Sequence, residues 1–186
     1  MLRLLADRKT GAHFLGASTV SKVIYINGAS SSGKTTLAKR IQNSLASPIF
    51  YYSIDTLLET MPADELARLR ESSRTKLINW DCLFAGYFRS AASLSEAGLD
   101  IILDCPLYDG RVALYNENIV RLEPVTILLT CPLEELRRRE LNRGDRWVGL
   151  ADFQAPRVLK SIEHRFVFDA AADSAEKMCD QILVEL

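Results

Sequence analysis

Short apolar runs alternate along the chain with longer amphipathic stretches. "VIYIN" ends at Gly28 and predicts a buried strand. The following "TTLAKRIQNSL" carries apolar residues at helical spacing with few breakers, and predicts a helix. "PIFYYSI" predicts a second strand, entered by Pro48 and ending at Asp55. Residues 80–97 predict a long helix stopped by Gly98, a residue suited to a left-handed cap. "LDIILD" predicts a third strand ending at Asp104, and "VTILLT" a fourth. Pro132 falls in the first turn of the charged helix "LEELRRREL", where a proline is tolerated. Asp152 is a candidate helix cap, "FVFDAAA" a candidate fifth strand, and Asp173 a candidate cap for the final helix "SAEKMCDQILVEL". Strands alternating with helices of this length imply an α/β fold, a parallel sheet covered on both faces. Ligands of such sheets bind beyond the carboxyl ends of the strands, where Gly28, Asp55 and Asp104 all fall.

Composition narrows the class without changing that layout. The 186 residues fit one domain, with 1–21 expected as an N-terminal extension and 22–186 as the domain proper. The apolar share of 48% and charged share of 25% are ordinary for a soluble protein. A net charge of −1 gives no electrostatic footprint for a nucleic acid or an anionic membrane, and no apolar run is long enough for a membrane span. Cys82, Cys105, Cys131 and Cys179 share no C-x-x-C spacing and read as reduced thiols of a cytoplasmic protein.

The chemistry begins at "GASSSGKTT". Gly28, Ala29, Ser30, Ser31, Ser32, Gly33, Lys34 and Thr35 satisfy G-x-x-x-x-G-K-[ST], between a predicted strand and a predicted helix. The glycines let the backbone wrap closely, so successive N–H groups aim at one phosphate, and the helix start adds its positive dipole end. Lys34 supplies a point charge for the terminal phosphates of a nucleotide, and the Thr35 hydroxyl suits Mg²⁺, with Thr36 next to it. Asp104 is either a partner for that Mg²⁺ or a turn aspartate. Asp55 is either a general base for an attacking hydroxyl or the cap of the helix "TLLETM". Arg137, Arg138, Arg139, Arg143 and Arg146 crowd into "LRRRELNRGDR". Arg137 and Arg138 are expected to pair with Glu134, Glu135 and Glu140 on a solvated face, and Arg143 and Arg146 to meet phosphate oxygens from a lid bracketed by Gly144 and Gly149. His13 and His164 have no nucleophile partner. Trp80, Phe84, Tyr87 and Phe88 read as core, with a few free to line an acceptor pocket. A GTPase is disfavoured: there is no N-K-x-D stretch, and "LDCPL" lacks the glycine of a D-x-x-G switch.

With "IYINGASSSGKTT", "SIDTLLETMP", "SEAGLDIILD" and "RGDRWVGLADFQ" in this order, the chain resembles the chloramphenicol phosphotransferase family from about Lys22 to the C-terminus. The resemblance implies a three-layer α/β/α P-loop kinase fold with a five-stranded parallel sheet and an Arg-rich lid. It also implies ATP and Mg²⁺ as cofactors and a small-molecule hydroxyl as acceptor. Asp55 matches that family's proposed general base, and Arg143 and Arg146 match its lid arginines. The acceptor stays open between a chloramphenicol-like antibiotic and another metabolite. A nucleotide- or gluconate-type kinase and a nucleotide-binding regulator without an acceptor are the alternatives.

Overall fold

The computed structural model describes residues 21–71, 78–143 and 148–186. The expected N-terminal extension with His13, and the lid residues Gly144 and Arg146, lie outside them. Five strands form one sheet: β1 (Val23–Gly28), β2 (Phe50–Ser53), β3 (Ile101–Asp104), β4 (Val125–Thr130) and β5 (Phe166–Asp169). All pairings are parallel, in the order β2-β3-β1-β4-β5. The helices among the described residues are α1 (Lys34–Ser44), α2 (Ile54–Leu58), α3 (Ala63–Glu71), α4 (Trp80–Glu96), α5 (Arg111–Asn118), α6 (Leu133–Arg143), α7 (Leu150–Val158) and α8 (Ala175–Leu183). None of the described helices is long and apolar enough to cross a membrane.

The sheet explains why its strands read as unbroken apolar runs. All six residues of β1 are buried. Tyr25 and Leu103 pack on one face with Phe84, Tyr87 and Phe88 of α4 and Tyr115 of α5. Their neighbours Ile24, Ile26 and Ile102 point to the other face, against Leu37 and Ile41 of α1 and Met178 and Ile182 of α8. Alternation therefore persists, but both faces are covered, so polarity does not mark it.

Register aligns the functional edge. Asp104 lies opposite Ile26 of β1 and Ser53 of β2, so β2 and β3 finish at one level and β1 runs two residues further, to Gly28. Asp173, expected as a cap, and Asp55, for which capping is one of two readings, are both displaced by a neighbouring serine. Ser53 caps α2, its Oγ accepting from the Asp55 backbone N–H at 3.0 Å, so β2 stops before Asp55, which sits inside the first helical turn. Ser174 caps α8 in the same way, while Asp173 pairs with Lys177 at 2.7 Å. A short serine side chain folds back onto its own helix; the neighbouring carboxylate is left to seek a cation. Asp152 likewise lies within α7 and pairs with Arg137. The start of α7 is held instead by the buried carboxylate of Glu140, which accepts from the Gly149 and Ala151 backbone N–H groups at 2.8 and 3.0 Å. Glu140 thus caps a helix rather than joining the solvated arginine face. Gly98, at φ +89, ends α4 as expected, with the Leu99 N–H donating to the Leu94 carbonyl.

One polar group ties the sheet's end to distant loops. Asn27 is fully buried; its Oδ1 accepts from the backbone N–H groups of Gly28 at 2.8 Å and Leu107 at 2.9 Å. Its Nδ2 donates to Ser161 Oγ at 2.9 Å and faces His164 Nε2 at 3.1 Å. With Nδ2 donating, His164 Nε2 is an acceptor, which requires a neutral ring. Burial favours the same state, holding His164 down at about 4. In the unfolded chain the ring takes its proton near pH ~6.5. Between those values the unfolded state binds more protons, so stability falls as pH drops through the window. Solvent screening of this partly exposed group limits the loss to about 1–2 kcal/mol. Comparing melting temperatures at pH 7.5 and 4.5, we expect a shallower fall in His164→Gln than in the wild type.

Candidate active site

The loop between β1 and α1 wraps around an anion-sized hollow. Its turns need left-handed backbone at Ser31 and Gly33, with φ of +64 and +98. Gly28 has φ +148, and a Cβ there would stand 2.7 Å from Ser32 Oγ and 2.8 Å from the Leu129 carbonyl oxygen. The hydroxyls of Ser30, Ser31 and Ser32 are buried with no hydrogen-bond partner among the described residues. Three orphaned hydroxyls side by side are unusual in a folded chain and suit a bound oxyanion. The Ser30 backbone N–H is taken by Gln154 Oε1 of α7 at 2.7 Å.

Lys34 is buried and folds back over the loop, donating to the Ala29 carbonyl at 2.9 Å. Its Nζ lies 3.8 Å from Asp104 Oδ1. The other oxygen of Asp104 accepts from Thr35 Oγ1 at 3.3 Å and from the Tyr51 hydroxyl at 2.6 Å. Burial, followed by the Asp104 charge, pushes the Tyr51 phenol well above its usual range, so it remains a donor. A hydroxyl and a buried carboxylate this close supply the hard oxygens that Mg²⁺ prefers, and the donor set fits that ion. Thr35 and Asp104 are the residues that could hold it.

These groups line one wall of a cleft of about 850 Å³ at the carboxyl edge of the sheet. Thr36, Asp55, Arg139 and Arg143 also line it, so the described residues expected from sequence to share a site do so, apart from three loop members, Gly28, Ala29 and Ser32. Ala29 offers its carbonyl to Lys34, and Ser32 packs beneath the loop. Arg139 is braced by Glu135 at 2.7 Å and by the Ala170 carbonyl at 3.0 Å. Arg137 and Arg138 pair outward with Glu134 and Glu135, as expected.

The opposite wall is apolar. Ile54, Leu58, Leu66, Trp80, Phe84 and Phe153 line it. Tyr87 and Phe88 stay in the core. Sequence reasoning missed Tyr51, Tyr108, Arg111 and Gln154. Gln154 closes the stretch "RGDRWVGLADFQ" and carried a signal there; the others sit in no motif. Arg111 lies between two rings, its guanidinium carbon 3.5 Å from the Phe84 centroid and 3.9 Å from that of Tyr108. Tyr108 in turn meets Phe153 edge-on, 5.5 Å between centroids.

A phosphate loop on a five-stranded parallel sheet, opening into a second chamber, defines the P-loop kinases. The sequence profile of chloramphenicol phosphotransferase-like proteins matches residues 21–186, and the chain belongs to that family. It is accordingly an ATP-dependent kinase. Solved structures share the fold at low identity. A sugar kinase from Janibacter sp. HTCC2649 is 18% identical, with a TM-score of 0.66 over 88% of this chain and 93% of its own. The Mycobacterium tuberculosis APS kinase, solved with AMPPNP and APS, is 12% identical, with a TM-score of 0.64 over 88% and 96%. Shikimate kinase from Acinetobacter baumannii, solved with shikimate, is 13% identical, with a TM-score of 0.59 over 88% and 91%. No curated protein matches the chain significantly.

Gly28→Ala tests the loop's dependence on a missing side chain. The positive φ and two contacts under 3.0 Å, one of them to backbone, leave the methyl no room. We expect a loss of about 2–4 kcal/mol in chemical denaturation, with nucleotide binding weakened in the same variant.

Proposed function

We propose that the protein transfers the γ-phosphoryl group of ATP to a hydroxyl of a small molecule, with Asp55 as general base. The observation that carries this reading is the shared cleft: Asp55 lines it together with the phosphate loop on one side and the aromatic wall on the other. The acceptor lies against Trp80, Phe84 and Phe153, whose apolar surface excludes water from the transfer. Its oxygen attacks the γ-phosphorus in line while its proton passes to the Asp55 carboxylate. The bond from that phosphorus to the β–γ bridging oxygen breaks, and ADP leaves with the bonding pair.

The loop N–H groups and Lys34 hold the phosphates, and Arg139 and Arg143 neutralise charge that builds on the transferring group. Arg146 joins them on the strength of its "RGDR" spacing alone. Mg²⁺ held by Thr35 and Asp104 would neutralise phosphate charge. A chloramphenicol-like antibiotic and a sugar-like or acidic metabolite are the acceptor classes supported by the family and by the kinases of similar fold.

The reading is tested by incubating the protein with ATP, Mg²⁺ and a panel of hydroxylated acceptors, and following the gain of a phosphoryl group by mass spectrometry. Asp55→Asn should lower turnover of any positive acceptor by about 10²–10⁴-fold while leaving ATP affinity within about twofold. An Asn variant with wild-type turnover removes Asp55 as base. Acceptor-independent ATP hydrolysis alone would point to a regulator.

A further inference from the structure

Among the described residues, Arg111 is a half-buried cation without a counter-ion. It opens α5, immediately after the loop that leaves β3. Among the described residues, no carboxylate lies within ion-pair distance of it. Asp109, two residues away, pairs with Arg157 instead, at 3.6 Å. Asp55 and Glu59 share the cleft with Arg111 but form no ion pair with it. Its Nη1 donates to the Pro106 carbonyl at 3.3 Å. Burial acts on the guanidinium in the direction of a lowered pKa, as expected for a desolvated charge.

The rings of Phe84 and Tyr108 recover part of that desolvation cost through their faces. They also fix the plane of the guanidinium, because a stacked fork cannot rotate freely. What remains is a pre-oriented set of N–H donors lining the cleft on its aromatic side. A planar fork held this way matches a carboxylate, or another planar or tetrahedral oxyanion, with two parallel hydrogen bonds. The phosphates of the nucleotide already have their own receptors in the loop, Lys34 and the arginines of α6.

We propose that Arg111 is the receptor for an anionic group on the acceptor, so that the preferred substrates are hydroxy acids rather than neutral alcohols. The inference rests on the kinase reading for its choice of acceptor side. It adds that one end of the acceptor presents the hydroxyl to Asp55 while the other presents an oxyanion to Arg111, the apolar body lying between Trp80 and Phe153. Neutral acceptors then lose the bidentate pair and leave the desolvated cation unmatched.

Matched probes separate these ideas. With the phosphate loop filled by AMP-PNP and Mg²⁺, binding of 4-(hydroxymethyl)benzoate and of 4-(hydroxymethyl)benzamide is measured by calorimetry on the full chain. We expect the acid to bind at least about 10-fold more tightly than the amide in the wild type. Arg111→Met keeps an unbranched stem between the rings and should reduce that ratio to near one. Arg111→Lys keeps the charge without the fork and should retain part of it, which guards against misreading a folding defect in the Met variant. Equal binding of acid and amide, no binding of either, or a ratio that survives in Arg111→Met overturns the proposal. So does a loss of AMP-PNP affinity in Arg111→Met with the ratio intact, which would move Arg111 to the nucleotide side. If the acid is preferred yet never phosphorylated once ATP replaces the analogue, the anion receptor stands and the base assignment fails.

Discussion

A single buried amide oxygen sets the two halves of this site against each other. Asn27 Oδ1 takes the N–H of Gly28, where the phosphate loop begins, and the N–H of Leu107, in the loop that goes on to carry Tyr108 and Arg111. Neither N–H has access to water at that depth, so removing the oxygen would orphan both, at about 1–3 kcal/mol each. The two bonds do more than stabilise. They fix how far the nucleotide's cradle stands from the ring-stacked arginine. The same side chain reaches through Nδ2 to Ser161 and His164, beyond the end of α7. The phosphate loop, the loop leading to Arg111 and the chain beyond α7 are thereby referenced to one point.

Around that point the cleft is divided by chemistry. Its donor side holds buried ions and hydroxyls that partner one another, with Asp104 accepting from Thr35 and Tyr51 while lying near Lys34. Its other side is aromatic and aliphatic, with one stacked cation. Rigid elements supply both: strand ends and the first turns of α1, α2 and α5. Glu140 of α6 spends its carboxylate on the Gly149 and Ala151 backbone N–H groups. That bond keeps the start of α7 in register with the last turns of α6.

Much of this was legible in the sequence, because it is local. Buried parallel strands announce themselves as apolar runs between turn residues, and all five stand where those runs predict them. The phosphate loop is a contiguous motif. What stayed hidden depends on partners far away along the chain. Asn27 reads as a polite end to a strand, and nothing in "INGAS" shows that Leu107 will need its oxygen. Glu140 sits among arginines in "RRREL" and reads as one of their partners, until burial turns it towards the start of α7. Arg111 follows "LYDG" and reads as a partner for Asp109, yet Asp109 pairs with Arg157 and Arg111 is held by Phe84 and Tyr108 closing on it. The misplaced caps have a smaller cause: aspartate and serine compete for the same role, and adjacent positions in sequence do not decide which one turns back.

The neutrality of Gln154 decides what charge the phosphate loop presents. Its amide oxygen accepts from the Ser30 N–H and ties the loop to α7. The choice of an amide matters. A glutamate there would offer the same reach with a full negative charge, a hydrogen bond about twice as strong, and repulsion for every incoming phosphate. The protein would carry its own tethered competitor. Glutamine is a neutral placeholder: it satisfies the backbone and leaves the positive field of the loop unspent.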